Sequence, residues 1–599
     1  MKREKIREFD GKQLYYSFLA GAQRLFENQS LINKINVFPV ADADTGTNLA
    51  STLRSIVDTV IPSQNLKNTA DAIADAALVG ARGNSGIIFA QFLFGFSNEL
   101  KSNHIKLDIK AFTEAILKAV RYAYEAISNP REGTMISVIK EWAEGLYTLR
   151  DKVDDFYKLL DNSFEYANVS LKKTKDQLEA LAKANVVDAG AKGFVVFLEG
   201  MLDFLLSRNI RSLTGTRNVT KPLAEIESIS HEVITFRYCT EAMLVGKEVN
   251  KEKIRKILDN YGDSVVVAGS NQKVRIHVHT DEPANLFTEL SELANITFQK
   301  VDDMVLQNEV VSNRKHPIGI ISDSTLDLPQ ELIEKHQIHV VPLSIHFGDT
   351  FFLDRVTLKP EQFYKMLDTH PIHPSTAQPT FKDFTNKLNY MSTIYDSMIG
   401  VMLGERMSGT YSNTKKAAKT IGLQTNKNIS VVNSKNLTGG LGLQVLRVAE
   451  YIEQGYSHEE IVKQAQTWGD KTLMLAAATT TKYMVRGGRL SYSKGLVSRI
   501  LGVRPIVKVD SFGKPQAFGK PLSVKSCQRM ILKKINEFTK ENKLWGYAIT
   551  HANNEPLAKF FADEIKKITG MEPKFINQAS PVLSAHVGPG VTSISLLPE

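Results

Sequence analysis

Along roughly the first 200 residues, apolar side chains recur every third or fourth position. Leu14, Phe18, Ala22, Leu25 and Phe26 keep that spacing, as do Phe112, Ile116, Val120, Ala123 and Ile127 before a stop at Asn129-Pro130. This period marks helices with one buried face. Strand signals are scarce, so the pattern predicts an all-α domain over 1–208. From about residue 232 the rhythm changes. EVITFRYC alternates, SVVVAG is a short apolar run, and VRIHVH alternates strictly, with helical stretches between them. These predict a small α/β domain over 220–310. Ser312-Asn313-Arg314-Lys315-His316-Pro317 is polar and reads as a linker. A second α/β pattern occupies 316–599, where IGIISDST, IHVVPLSI, SMIGVML, ISVVNS and GYAITHA read as strands separated by helices. The chain is therefore read as multidomain.

Its 599 residues suit such a division, because domains commonly span about 100–200 residues. Only two cysteines, Cys239 and Cys527, are present. That excludes a disulfide-dependent secreted scaffold and points to a reducing, cytoplasmic compartment. The start, MKREKIREFDGK, lacks the apolar core of a signal peptide. No uncharged apolar stretch reaches the ~18 residues that a membrane span needs. The formal net charge of +9 suits anionic ligands such as phosphates and carboxylates. The basic residues are dispersed, without the interleaved aromatics of a nucleic-acid groove.

Candidate chemistry concentrates in four segments of the helical region. In Asn36-Val-Phe-Pro-Val-Ala-Asp42-Ala-Asp44-Thr45-Gly46-Thr47-Asn48, two carboxylates sit in a loop that runs into a helix. Thr45 or Thr47 is the expected N-cap. Hard cations such as Mg²⁺ take oxygen ligands and share them with substrate phosphates, while a helix start offers free N–H groups to those phosphates. Asp-x-Asp alone is also a common turn or cap. The second segment is Gly80-Ala-Arg82-Gly83-Asn84-Ser85-Gly86, which would bring backbone N–H groups close to phosphate, or simply turn between helices. Glu132-Gly133-Thr134 opens a helix, and Val187-Asp188-Ala189-Gly190 is the fourth segment.

Taken in this order, the four segments resemble the DAK2 (DhaL-type) nucleotide-binding domain, in particular that of bacterial fatty-acid kinase. The resemblance covers about 8–310 and implies a helical barrel that uses ATP and Mg²⁺. It implies Mg²⁺ on Asp42 and Asp44, with Asn36 as a third contributor. It implies nucleotide contacts from Thr45, Thr47, Asn48, Gly83, Asn84, Ser85, Gly86, Thr134 and Asp188. Two alanines, Ala41 and Ala43, depart from the family's Pro and Gly. If that glycine needs positive φ, Ala43 costs about 1 kcal/mol without removing a ligand.

In VRIHVH, Arg275, His277 and His279 face one way and the valines and isoleucine the other, because side chains alternate on a strand. With Cys239, which ends EVITFRYC, the two histidines form a candidate Zn²⁺ set. Two half-exposed strand histidines and a buried thiol are the plainer reading of the same spacing. The flanking residues, Tyr238-Cys239-Thr240-Glu241 and His277-Val278-His279-Thr280, resemble the fatty-acid kinase middle domain, and that resemblance implies zinc.

Over 316–599 the loops are ordered as Ser322-Asp323-Ser324-Thr325, Pro374-Ser375-Thr376-Ala377-Gln378-Pro379, Ser408-Gly409-Thr410, Arg486-Gly487-Gly488-Arg489 and His586-Val587-Gly588-Pro589-Gly590. Singly they are strand-end loops. As a set they resemble the DegV family, with its α/β (EDD) fold of two subdomains. The resemblance implies a buried fatty acid whose carboxylate is held by Thr376 and Ser408, with His586 beside it. Arg489, with Arg486, would serve phosphoryl transfer. Ala377, Gly404-Glu405 and Asn433 depart from the usual pattern and leave the head-group residues intact. The expected function is a fatty-acid kinase fused to its lipid carrier, making acyl phosphate for phospholipid synthesis. An acyltransferase or a membrane surface would receive the product, and homodimerisation is left open. The alternatives are a dihydroxyacetone-type kinase, for which no covalent-histidine substrate domain is found, and a lipid-binding regulator with a decayed kinase loop.

Overall fold

The structure is a computed structural model and describes residues 5–38, 44–102, 104–208, 234–480, 482–487, 505–519 and 521–599. The chain divides into two compact units, 1–282 with 292–312, and 313–599 with 283–291.

The first unit begins β1 (Glu8–Asp10), α1 (Gly11–Lys34), α2 (Thr45–Thr59), α3 (Leu66–Gly80), α4 (Gly83–Glu99), β2 (Lys106–Asp108), α5 (Ile109–Glu125), α6 (Met135–Leu149), α7 (Phe156–Gln177), α8 (Glu179–Ala184) and α9 (Ala189–Ser207). Asp10 starts α1 with a capping box: its carboxylate accepts from the Gln13 N–H, and the Gln13 side chain accepts from the Asp10 N–H. Leu14, Phe18, Ala22, Leu25 and Phe26 are all buried on α1. Phe18 meets Phe197 of α9 edge-on, with ring centroids 5.1 Å apart. The region is not wholly helical, because β1 and β2 pair antiparallel. Strands of three residues are too short to show as alternation. Ile127 lies beyond α5 and forms a bridge with Val266. The helix stops before it, ahead of Asn129-Pro130, where the residue preceding proline disfavours helical backbone.

The same unit continues with β3 (Tyr238–Val245), α10 (Lys251–Tyr261), β4 (Gly262–Gly269), β5 (Lys273–Thr280), β6 (Asn295–Asp303) and α12 (Met304–Ser312); α11 (Pro283–Ser291) groups with the second unit. The sheet order is β4-β5-β3-β6, antiparallel throughout. Val266 and Ala268 join the helical apolar core. Cys239 stands near the start of its strand instead of at the end. The strand continues through Thr240 and Glu241, which are polar yet 0% and 1% exposed, so hydrophobic alternation does not reveal it.

The second unit runs β7 (Ile318–Asp323), α13 (Gln330–Lys335), β8 (His339–Val341), β9 (Ser344–Phe347), β10 (Thr350–Leu353), α14 (Pro360–Thr369), β11 (Ser375–Ala377), α15 (Phe381–Ser392), β12 (Ser397–Met402), α16 (Thr410–Thr425), β13 (Asn428–Asn433), α17 (Thr438–Glu453), α18 (His458–Lys471), β14 (Leu473–Ala477), α19 (Lys482–Arg486), β15 (Ile506–Val509), β16 (Pro515–Gly519), α20 (Val524–Glu541), β17 (Leu544–His551), α21 (Glu555–Thr569), β18 (Phe575–Gln578), α22 (Pro581–Val587) and β19 (Thr592–Pro598). A parallel sheet, β13-β12-β7-β8, and a mixed sheet, β16-β15-β14-β19-β17-β18, share one apolar cluster, to which Ile320 and Val401 of the first and Ala548 and Leu597 of the second contribute, and the mixed sheet carries a second cluster of its own. A small antiparallel sheet, β10-β9-β11, holds Thr376 on its edge. IHVVPLSI splits into β8 and β9 at Pro342, which cannot donate to a ladder. No helix among the described residues is long and apolar enough to cross a membrane.

Candidate active site

Helix α2 begins at Asp44, not at either threonine. Asp44 is the N-cap residue, with φ −117 and ψ −7, and makes no side-chain cap bond. The threonines are used otherwise. Thr45 Oγ1 donates to Asn36 Oδ1, while Thr47 Oγ1 accepts from Gln29 and Asn33 of α1. Asn36 is thereby held beside the helix start, with one lone pair of Oδ1 already engaged. Asp42, Ala41 and Ala43 lie outside the described residues, as do Gly488 and Arg489.

The glycine segment opens α4. Gly83 has φ +56, and a Cβ there would meet Asn48 Nδ2 of α2 at 2.3 Å. The glycine therefore serves a left-handed conformation and a close helix approach together. Asn84 Oδ1 is buried without a hydrogen-bond partner. A buried acceptor left unsatisfied costs about 1–3 kcal/mol, so a donor is expected when the site is filled. Thr134 is the N-cap residue of α6, and its hydroxyl donates to Arg131 O. Asp188 caps α9, accepting from the Ala191 N–H at 2.7 Å. Burial pushes its carboxyl up to about 6, although the N–H groups of Ala191, Met135 and Gly190 oppose the shift. Around Gly190 three segments meet: a Cβ would lie 2.8 Å from Ser85 Oγ, 3.3 Å from Asp188 Oδ1 and 3.3 Å from Met135 Cβ. Ser85, Asp188 and the start of α6 are thus neighbours, and Gly83 ties them to α2.

One face of the β4-β5-β3-β6 sheet joins this site. Cys239 pairs with His279 and Asp302, and Glu241 pairs with His277 and Lys300. Residues directly opposite on antiparallel strands project to the same side. The ligand atoms of Cys239, His277 and His279 lie within 4.8 Å of one another, and His277 Nε2 is buried without a hydrogen-bond partner. One thiol and two imidazoles with an orphaned ring nitrogen fit Zn²⁺. Burial, and then the Glu241 charge, push the Cys239 thiol well up; burial pushes His277 down. Asp44 also acts electrostatically on Cys239 and Lys300, which brings the α2 start and the sheet face together.

Sequence reasoning missed Glu241 and Lys300 on that face and gave no role to Arg275, which it had placed there. Glu241 Oε1 accepts from the Gly83 N–H at 2.6 Å and Oε2 from Arg275 Nη2 at 2.7 Å. Burial opposes the Glu241 charge, but His277, Arg275 and Lys300 hold its carboxyl well below the usual range. The one available signal was a carboxylate and an arginine at same-face positions of neighbouring strands.

In the second unit Thr376 Oγ1 and His586 Nε2 are 2.9 Å apart. Ser408 Oγ donates to Gln378 Oε1 at 3.2 Å, so the loop from Pro374 to Pro379 meets His586 at one point and Ser408 at another. All three expected head-group residues are half-buried. His586 lies on the last turn of α22, before Gly588 at φ +80, and not in the turn itself. Asp327 accepts from the Ser580 N–H and Asp354 from the Val582 N–H, which anchors the start of α22. Asp327 is in turn paired with Arg355 at 2.7 Å. Burial raises Asp354 to about 7 despite the Arg355 charge. Arg486 ends α19 and helps lower His373, chiefly a burial effect.

Three family models match: a DAK2 domain over 39–203, the middle domain of FakA-like fatty acid kinase proteins over 235–311, and the DegV family of uncharacterised proteins over 317–599. The chain is a DAK2–DegV fusion. The fusion is 31% identical to protein YloV of Bacillus subtilis over 329 residues, 52% of this chain and 59% of that protein. It is 32% identical to an uncharacterized protein of Staphylococcus saprophyticus over 324 residues, 52% of this chain and 58% of that protein. The match thus spans less than two thirds of either relative. Among solved structures it is similar to DegV of Bacillus subtilis, described as a fatty acid binding protein (26% identity, 48% of this chain, 100% of that one, TM-score 0.43). It is also similar to a DegV family protein of Thermus thermophilus, described by its fatty acid binding (22% identity, 47% of this chain, 100% of that one, TM-score 0.44).

Proposed function

We propose that the fusion is an ATP-dependent fatty-acid kinase that carries its own lipid-binding domain. The convergence of Ser85, Asp188 and the α6 start on Gly190 carries the kinase half, because it gathers segments far apart in sequence at three helix N-termini, those of α4, α6 and α9. The acceptor is inferred from the kinase description of the middle-domain family and from the Thr376–Ser408–His586 arrangement.

Magnesium, when bound, would neutralise phosphate charge, and Asp44 with Asn36 and Asp42 would hold it. N–H groups at the starts of α2 and α4, other than those of Thr47 and Gly83 that Asn33 and Glu241 already take, would orient the phosphates. Thr376 and Ser408 would hold the carboxylate by hydrogen bonds, and His586 would fix its direction. A carboxylate oxygen then forms a bond to the γ-phosphorus as the bond to the bridging oxygen of ADP breaks. The carboxylate needs no general base, so catalysis is positioning and electrostatics. Lys300 adds a cation on the same sheet face. The test is ADP release by the full chain with and without added fatty acid, together with trapping of acyl phosphate by hydroxylamine. ATP turnover that ignores fatty acid would defeat the acceptor assignment.

A further inference from the structure

Glu241 touches two sites at once. It is 1% exposed, and its Oε1 lies 2.6 Å from the Gly83 nitrogen and 3.8 Å from His277 Nδ1. Its other oxygen takes Nη2 of Arg275, whose Nε and Nη1 are buried without partners. The Arg275 guanidinium otherwise rests over the Phe298 ring at 4.1 Å. Arg275 therefore depends on Glu241, and both side chains are fixed by it.

A histidine that binds metal through one ring nitrogen characteristically donates its other N–H to a carboxylate, which fixes tautomer and ring orientation. Glu241 is placed to be that carboxylate: His277 Nε2 has no partner, while Nδ1 stands 4.0 Å from Cys239 Sγ and 3.8 Å from Glu241 Oε1, a separation that must close for the bond to form. The Gly83 N–H that Glu241 receives belongs to the first residue of the glycine-rich helix start. We propose that Glu241 is a positioning residue that couples the Cys239–His277–His279 metal site to the nucleotide loop at Gly83, so that metal occupancy raises nucleotide affinity. With metal bound, the His277 Nδ1 proton is committed toward Oε1 and the carboxylate is held from three sides. Without metal, either ring nitrogen can carry the proton, and the hydrogen bonds that hold the carboxylate come from Gly83 and Arg275. Linkage also requires the converse: bound nucleotide must tighten the metal by the same factor.

The inference rests on the kinase reading, and the experiment separates the two. Full-length chain, loaded with zinc or stripped by a chelator and returned to magnesium buffer, is titrated with a non-hydrolysable ATP analogue by calorimetry. Zinc release to a chromophoric chelator is followed with and without the analogue. Stripping should weaken nucleotide binding roughly five-fold or more, and nucleotide should retard zinc release correspondingly. Glu241→Gln should keep zinc but bring both ratios near one. Glu241→Asp, which keeps the charge but shortens the reach, should reduce them and serves if the Gln variant does not fold. Equal nucleotide affinity in loaded and stripped wild type, with both ligands bound, overturns the coupling alone. Undiminished coupling in both variants overturns the role of Glu241. Zinc binding without any nucleotide binding overturns the kinase reading and the coupling with it; nucleotide binding without zinc removes the metal site and the coupling.

Discussion

Thr376 Oγ1 and His586 Nε2 meet at 2.9 Å although 210 positions separate them in sequence. One stands on the edge strand β11 and the other at the end of α22, so two independently anchored elements define the contact. A long acyl tail contributes on the order of ten kcal/mol gross at roughly 0.8 kcal/mol per methylene, whereas a hydrogen bond to a charged carboxylate contributes about 1.5–3 kcal/mol. Under the proposed function the tail would be the main source of affinity, and the polar pair would set direction. His586→Ala should still co-purify with fatty acid, seen by mass spectrometry of the extract, and form acyl phosphate at least ten-fold more slowly. An empty variant would place affinity in the head group instead.

Asp44 sits at a helix start without a cap bond of its own. Removing a metal ligand should cost several kcal/mol of transition-state stabilisation. Asp44→Ala should lose ATP turnover by two orders of magnitude or more and keep its lipid; Asp42→Ala should behave alike. Wild-type turnover in either variant rules that residue out as a ligand.

The metal set gives a third expectation. Untagged protein should contain about one zinc per chain by elemental analysis, and His277→Ala should lose it while remaining folded by circular dichroism. Well-folded wild type free of transition metal would leave His277 and His279 as buried structural histidines.

Asp354 makes the stability of the second unit depend on pH. Its carboxyl is raised to about 7 by burial, against about 3.9 in an unfolded chain. A raised folded value means that its stabilising contribution is complete below about pH 4 and lost as pH rises through 7. Asp354→Asn removes that loss. The variant should gain on wild type by roughly 1–3 kcal/mol between pH 5 and 8, at about 1.4 kcal/mol per unit. The difference between the two proteins is the readout, because His339, lowered by burial to about 3, changes stability with the opposite sign on the acid side. A constant difference across that range would mean that Asp354 is ionised throughout.

Legibility in the sequence followed the type of interaction. Leu14 and Phe18 are readable as core because a helix face repeats locally, and VRIHVH is readable as a strand because its alternation is local too. Glu241 is not, since a buried charge and a solvated one look alike in sequence. Its partners Arg275 and Gly83 are 34 and 158 positions away. Thr45 reads as a cap because capping is the commonest use of such a residue; tertiary packing against Asn36 claims its hydroxyl instead. The turn after His586 is marked by its glycines, while the short helix α22 before it is held by Asp327 and Asp354, which no local pattern announces.

The central claim is that ATP and a DegV-bound fatty acid react on this chain. Purified full-length protein, magnesium, ATP labelled in its γ-phosphate and a long-chain fatty acid should yield labelled acyl phosphate, trapped by hydroxylamine as the hydroxamate. Product should be absent when fatty acid or magnesium is omitted and absent in Asp44→Ala. If wild type binds both ATP and fatty acid, yet transfers no label to the carboxylate, the account is contradicted.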